Sequence, residues 1–310
     1  MSGGLASYPR TNGGGGSQLT TIRRLMARLN SSTSSANNRH AAQLITALEL
    51  FASDQAQQGA HAAIVPIAVE VRDALFAARS HGHLTQEHHS RAMTVCADAF
   101  RITTPFANTG FVARATAAFN GANAATTAPQ LRGYKEEIGL VAWLYEASAL
   151  LGVDLSAGAA GNANTMHANW AAHYMNPPIN TKLDYLETGA SYNVNIVISV
   201  DIPGGKGPLI MAGEAKGGNS AYGMVKGPAS LLNALKIKPP VSQRSLLYAR
   251  TRAAYMRRET GTKDYQLARK QAGDMIESAA VDNRLTFVAA RGDLASTANP
   301  IIRRDYLECQ

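Results

Sequence analysis

The chain has 310 residues, 45% of them apolar and 17% charged, enough for one large or two ordinary globular domains. Its formal net charge of +8 and pI of about 9.6 suit a polyanionic partner, such as nucleic acid or an anionic membrane face. Only two cysteines, Cys96 and Cys309, stand far apart, which excludes a disulfide framework and a cysteine-rich metal site, and no run approaches the ~18 apolar residues of a membrane span.

Residues 1–39 read as a flexible Gly/Ser-rich segment, interrupted by a short basic amphipathic helix over 19–29 (LTTIRRLMARL). The first residues lack the charged-then-apolar layout of a secretory signal, so synthesis in the cytoplasm is expected. Export would then need a specialised secretion system that uses no cleavable signal. Residues 40–128 are Ala-rich and carry apolar positions at helical spacing in HAAQLITALELFA and HAAIVPIAVEVRDALFAARS. Thr85, with Glu87 in the first turn, opens a further helix (TQEHHSRAMTVCADAF), and Gly110 and Gly121 punctuate the rest of this region. All nine lysines lie at or after Lys135, and this compositional break puts a domain boundary near 125–130.

Residues 129–310 change texture. A helix is expected over 131–151, and a short one near HANWAAHYM that ends at Asn176-Pro177-Pro178. The runs NVNIVISVD and LIMAGEAKGG, joined by the turn PGGKGP, read as a β-hairpin. One or two basic helices follow over 242–280, and RLTFVAA reads as a last strand. The fold expected is α/β: an N-terminal helical region, then a mixed sheet flanked by helices.

The chemistry concentrates in Gly213-Glu214-Ala215-Lys216, at the end of the apolar run LIMA. Alternation along a strand points Glu214 and Lys216 to the same side. A carboxylate and an ammonium there are costly to bury without a function. Metal-assisted phosphodiester cleavage uses this pairing: carboxylates hold a hard cation, and a lysine orients the attacking water and offsets charge developing on the phosphorus centre. A second carboxylate is needed, and Asp184, ahead of the hairpin, is the first candidate.

Asp184, followed by Glu214-x-Lys216, resembles the D…ExK signature of the PD-(D/E)xK, or restriction-endonuclease-like, nucleases. The continuation Glu214-Ala215-Lys216-Gly217-Gly218-Asn219-Ser220, then Gln243 and Tyr248, is similar to nuclease toxins of bacterial polymorphic and secreted effector systems. Arg132-Gly133 and Glu136-Glu137 resemble the family's first, acidic helix. The resemblance covers residues 131–310. It implies a restriction-endonuclease-like core and Mg²⁺-dependent hydrolysis of DNA, with Mn²⁺ as a substitute ion and RNA as the alternative polymer. It implies metal binding by Asp184, Glu214 and Glu137, with Glu136 as understudy. Lys216 and Gln243 would assist catalysis, and Tyr248, Arg244, Gly217 and Gly218 would meet the substrate. A cognate immunity protein and a secretion carrier are the implied partners of such an effector. About 30 residues separate Asp184 from Glu214, so Asn193, Asn195 and Asp201 stay open for the second motif position.

Each residue has a plainer reading. Glu214 and Lys216 can form an edge-strand ion pair. Asp184 can be a loop acid, and Glu137 a first-turn acid favouring the helix dipole. Gln243 and Tyr248 can be ordinary helix residues, while Gly217 and Gly218 can serve a backbone turn. Arg244, Arg250, Arg252, Arg257 and Arg258 can contact phosphates or form a solvated face. His81, His83, His88 and His89 lack ligands at zinc-site spacing. No Walker loop or GxSxG elbow is present. Two rivals to the toxin are a restriction, repair or mobile-element nuclease without an immunity partner, and a non-catalytic nucleic-acid or protein binding module.

Overall fold

The computed structural model describes residues 15–29, 34–85, 109–151, 155, 181–186, 194–217, 224–225, 241–242, 246–292 and 302–305. The chain divides into two compact units, 1–105 with 149–152 and 203–206, and 106–148 with 153–202 and 207–310. The first is built on helices α1 (Gly15–Arg28), α2 (Ser34–Gln57) and α3 (Ile64–Ser80). Ile22, Leu25, Leu44, Leu48, Phe51, Val71 and Leu75 form its apolar interior. Gln18 donates to Asp54 across 2.6 Å and ties α1 to α2. Helix α2 begins at Ser34, inside the stretch expected to be flexible. Asn37 there is fully buried, so packing outweighs the weak helix propensity of Ser and Asn. The helix expected from Thr85 lies outside the described residues.

In the second unit, helices α4 (Thr109–Ala124) and α5 (Ala128–Leu151) precede strands β1 (Thr181–Leu186), β2 (Ile196–Val200) and β3 (Leu209–Gly217). Short strands β4 (Met224–Val225) and β5 (Val241–Ser242) pair with each other. Helices α6 (Leu246–Met256) and α7 (Asp264–Val281) lead to β6 (Leu285–Gly292) and β7 (Ile302–Asp305). Gly110 and Gly121 lie within α4 and do not break it, and the ring of Tyr134 occupies the space a Cβ on Gly121 would take. The short helix expected near HANWAAHYM lies outside the described residues.

The main sheet has the strand order β1-β2-β3-β6-β7. Strands β1, β2 and β3 form an antiparallel meander, β6 runs parallel to β3, and β7 is antiparallel to β6. The hairpin β2–β3 is the one expected, and its turn carries Gly204 at φ 73°, a conformation open to glycine. Two strands differ from expectation. The segment holding Asp184 is a strand and not a loop, and β6 is followed by β7.

Helices cover both faces of this sheet. On one face, Tyr185, Val197, Ile210, Ala212, Leu285 and Phe287 pack with Ala249, Ala253 and Met256 of α6 and Ala272, Ile276 and Ala279 of α7. The turn between those helices is fastened by Glu259, which accepts from the backbone N–H groups of Thr260 and Gly261 and from Arg269. These bonds, led by that from Gly261, hold its carboxyl below the usual range. Helix α5 packs on the other face, where Trp143 is fully buried and donates Nε1–H to the carbonyl of Val288 at 3.1 Å.

The approach of α5 is close because glycine faces it: a Cβ on Gly213 would overlap the Trp143 indole, and one on Gly217 would overlap the carbonyl of Lys135. Gly213→Ala is therefore expected to destabilise the fold by about 1–3 kcal/mol, the usual cost of overpacking. Chemical denaturation of the variant beside wild type measures it, and an unchanged midpoint would contradict this packing.

Candidate active site

Strand β3 starts apolar and ends charged. Leu209, Ile210, Met211 and Ala212 are buried, and Glu214 and Lys216 follow on the face that Ile210 and Ala212 share with α6 and α7. Glu214 is only 4% exposed. Its Oε1 lies 2.6 Å from Lys216 Nζ, and its Oε2 accepts from the Tyr248 hydroxyl at 3.0 Å. The lysine side chain is partly exposed and the carboxylate side chain buried. Tyr248 is itself buried, meets Phe287 edge-on, and carries the Arg252 guanidinium 4.7 Å above its ring.

The backbone on either side of Glu214 is fixed from β2. Asn195 donates its N–H to the Gly213 carbonyl and accepts from the Ala215 N–H at Oδ1, each over 2.8 Å. Asn195 thus stands across from Glu214 and braces the strand. Asp201, another alternative, follows β2 and is exposed at the opposite end of the hairpin. Six residues at ~3.3 Å put it about 20 Å from the Asn195 level, out of reach of Glu214. Asn193 lies outside the described residues.

Asp184 sits at an irregularity in the ladder. Leu183 pairs with Ile198 and Tyr185 with Val197, leaving Asp184 as the extra residue of a bulge. Bulges re-aim a side chain locally. Its side chain is 5% exposed, Oδ1 lies 3.1 Å from Lys182 Nζ, and Oδ2 is buried with no hydrogen-bond partner among the described residues. Lys182 pairs with Ser199, and Ser199 with Ile210, which puts this contact on the same face as Glu214. Asp184 is nevertheless two strands away and two to three residues back along the register, roughly 12 Å between backbones.

The remaining residues separate. Glu137, on α5 across the sheet, pairs with Arg114 of α4 at 3.1 Å, and Glu136 is exposed. The expected triad of Asp184, Glu214 and Glu137 is not brought together. Among the described residues no three His, Cys, Asp or Glu side chains are grouped to hold a metal ion. The space left by the missing side chain of Gly217 is taken by the backbone of α5. Gly218, Gln243 and Arg244 lie outside the described residues. Of the basic stretch, Arg250 is bonded to Glu277, a bond that raises its pKa, and Arg257 pairs with Asp274. Arg250, Arg257 and Arg258 are exposed, as a solvated face would have them, whereas Arg252 is buried over Tyr248.

Sequence reasoning missed the bulge at Asp184, the brace from Asn195 to Ala215, and the arginine of β6 that neighbours Lys216. Tyr248→Phe keeps the packed ring and removes the hydroxyl that meets Glu214. It is expected to cost about 1.5–3 kcal/mol, the range for a hydrogen bond to a charged group, read by chemical denaturation at neutral pH. A Phe variant as stable as wild type would show that the bond contributes nothing. No protein-family model matches the chain, and no curated protein or solved structure matches it either, so the chemistry of this site is read from its own residues.

Proposed function

We propose that the second unit is a Mg²⁺-dependent phosphodiesterase acting on nucleic acid, with DNA as the first substrate class and Glu214 and Lys216 at its centre. One observation carries the reading: a carboxylate 4% exposed, bonded to a partly exposed lysine two residues on, at the charged end of an otherwise apolar central strand. Folding alone gives no reason for it, since a buried ion pair is often no more stabilising than an apolar replacement. The mixed sheet with helices on both faces agrees with the resemblance to restriction-endonuclease-like nucleases, as does the net charge of +8.

The donor set fits a hard ion in chemistry and is sparse in number. Mg²⁺ keeps several waters and takes one or two protein carboxylates together with substrate oxygens. Glu214 would be one such carboxylate. Asp184, whose Oδ2 is buried without a partner among the described residues, lies on that face roughly 12 Å away between backbones. When bound, the ion supplies Lewis-acid polarisation of a phosphate and a more acidic water. Lys216 holds a fixed positive charge beside Glu214, where it can orient a water and offset charge building on phosphate oxygens. Tyr248 and Asn195 keep Glu214 and its strand in one orientation. Glu137 is left out of the centre, held by Arg114.

A bacterial effector role, with an immunity protein and a secretion carrier, belongs to the same proposal through the resemblance. So does delivery to target cells; among the described residues no helix is long and apolar enough to cross a membrane. A binding module remains the rival, in which the Glu214–Lys216 pair is purely structural. Supercoiled plasmid with Mg²⁺, beside an EDTA control and a parallel RNA, separates them. The expected outcome is nicking or degradation that needs the metal and falls at least a hundredfold in Glu214→Gln and Lys216→Ala. Folded wild-type protein that cleaves neither polymer would move the reading to the binding module.

A further inference from the structure

Strand β6 lies beside β3 in parallel, and its register places Ala289 next to Glu214 and Arg291 next to Lys216. Leu285 and Phe287 of β6 belong to the core under α6 and α7, so alternation puts Ala289 and Arg291 on that same face. On the opposite face Gly292 is closed off by Ile138 of α5. Arg291 is half-buried, and the Lys216 side chain is partly exposed. The row continues by backbone register to Arg303 on β7. Neighbouring strands stand ~4.8 Å apart, so Lys216 and Arg291 are adjacent cationic positions at one end of the sheet.

Charged side chains on an edge strand discourage aggregation, yet β6 is an inner strand between β3 and β7. The cations sit beside the one carboxylate whose chemistry calls for a phosphate nearby. A guanidinium grips two phosphate oxygens with parallel N–H bonds, whereas an ammonium acts as a point charge. Adjacent positions on β3 and β6 therefore offer both kinds of contact to one phosphodiester and its neighbour.

We infer that Arg291 is a substrate-positioning residue that grips a backbone phosphate of the nucleic acid beside Lys216. This inference rests on the nuclease reading for its substrate and deepens it by naming the group that orients the polymer. Arg291 contacts phosphate and not base edges, so its contribution is independent of sequence and sensitive to salt.

The test uses the full chain and a fluorescent DNA duplex. Binding is followed by anisotropy in EDTA over a salt series, and cleavage by steady-state kinetics with Mg²⁺, for wild type, Arg291→Gln and Arg291→Lys. Thermal melting confirms that each is folded. In Arg291→Gln the slope of log affinity against log salt is expected to flatten by about one. KM should rise about tenfold, with a smaller fall in kcat. Arg291→Lys keeps the charge and so the salt slope, while the loss of the planar fork still raises KM severalfold. Should the Gln variant fail to fold, that KM in the Lys variant carries the test. An unchanged slope and KM, with cleavage still lost in Lys216→Ala, would overturn the role of Arg291 and leave the nuclease standing. Wild type that binds but does not cleave, with the slope still flattened in Arg291→Gln, would uphold the phosphate grip and remove the nuclease. Wild type that binds no duplex in EDTA overturns the grip.

Discussion

Withdrawing a carboxylate from water costs several kcal/mol unless charge and hydrogen bonds replace the solvent, and Glu214 receives both from different elements. Lys216 supplies the charge from the same strand, and Tyr248 supplies the hydroxyl from α6. For those groups to meet, β3 must lie in the middle of the sheet, with α6 against one face and α5 against the other. Asn195 then fixes the backbone on both sides of the carboxylate. Removing the ionic partner, Lys216, would leave a buried charge poorly compensated, at a cost of order 3–5 kcal/mol.

The two faces of β3 have different tasks. Gly213 and Gly217 give up their side chains so that Trp143 and the backbone of α5 can close on the strand. Glu214 and Lys216 point the other way and are left as the polar end of an otherwise apolar layer. Immobility on one side keeps the charges on the other in place, which is what a preorganised electrostatic site requires. Arg291 extends that polar end to the neighbouring strand.

Much of this was legible in the sequence, for reasons that can be named. The hairpin showed itself through two apolar runs around PGGKGP, and Glu214 and Lys216 through the alternation rule. Helix α5 showed itself through apolar spacing. Strand β1 was not expected, although Lys182-Leu183-Asp184-Tyr185 does alternate polar and apolar; the bulge at Asp184 is a feature of its pairing with β2. Helix α2 begins earlier than its composition suggests, since the burial of Asn37 is a tertiary effect. The distance from Glu137 to the centre was invisible for a similar reason. Helical spacing shows which residues share a face, but not that the face lies across the sheet with Arg114 as partner. Arg291 sits one residue beyond the apolar run that announced β6, and only the parallel register makes it a neighbour of Lys216.

A divalent ion at Glu214 is the claim on which the chemistry turns, and it can be measured without any turnover. Mn²⁺ titrated into the full chain, with free ion followed by electron paramagnetic resonance, reports binding directly. The account expects wild type to take up the ion and Glu214→Gln, still folded, to lose at least tenfold in affinity. Wild type that takes up no ion, or a Gln variant that binds as well as wild type, would contradict it.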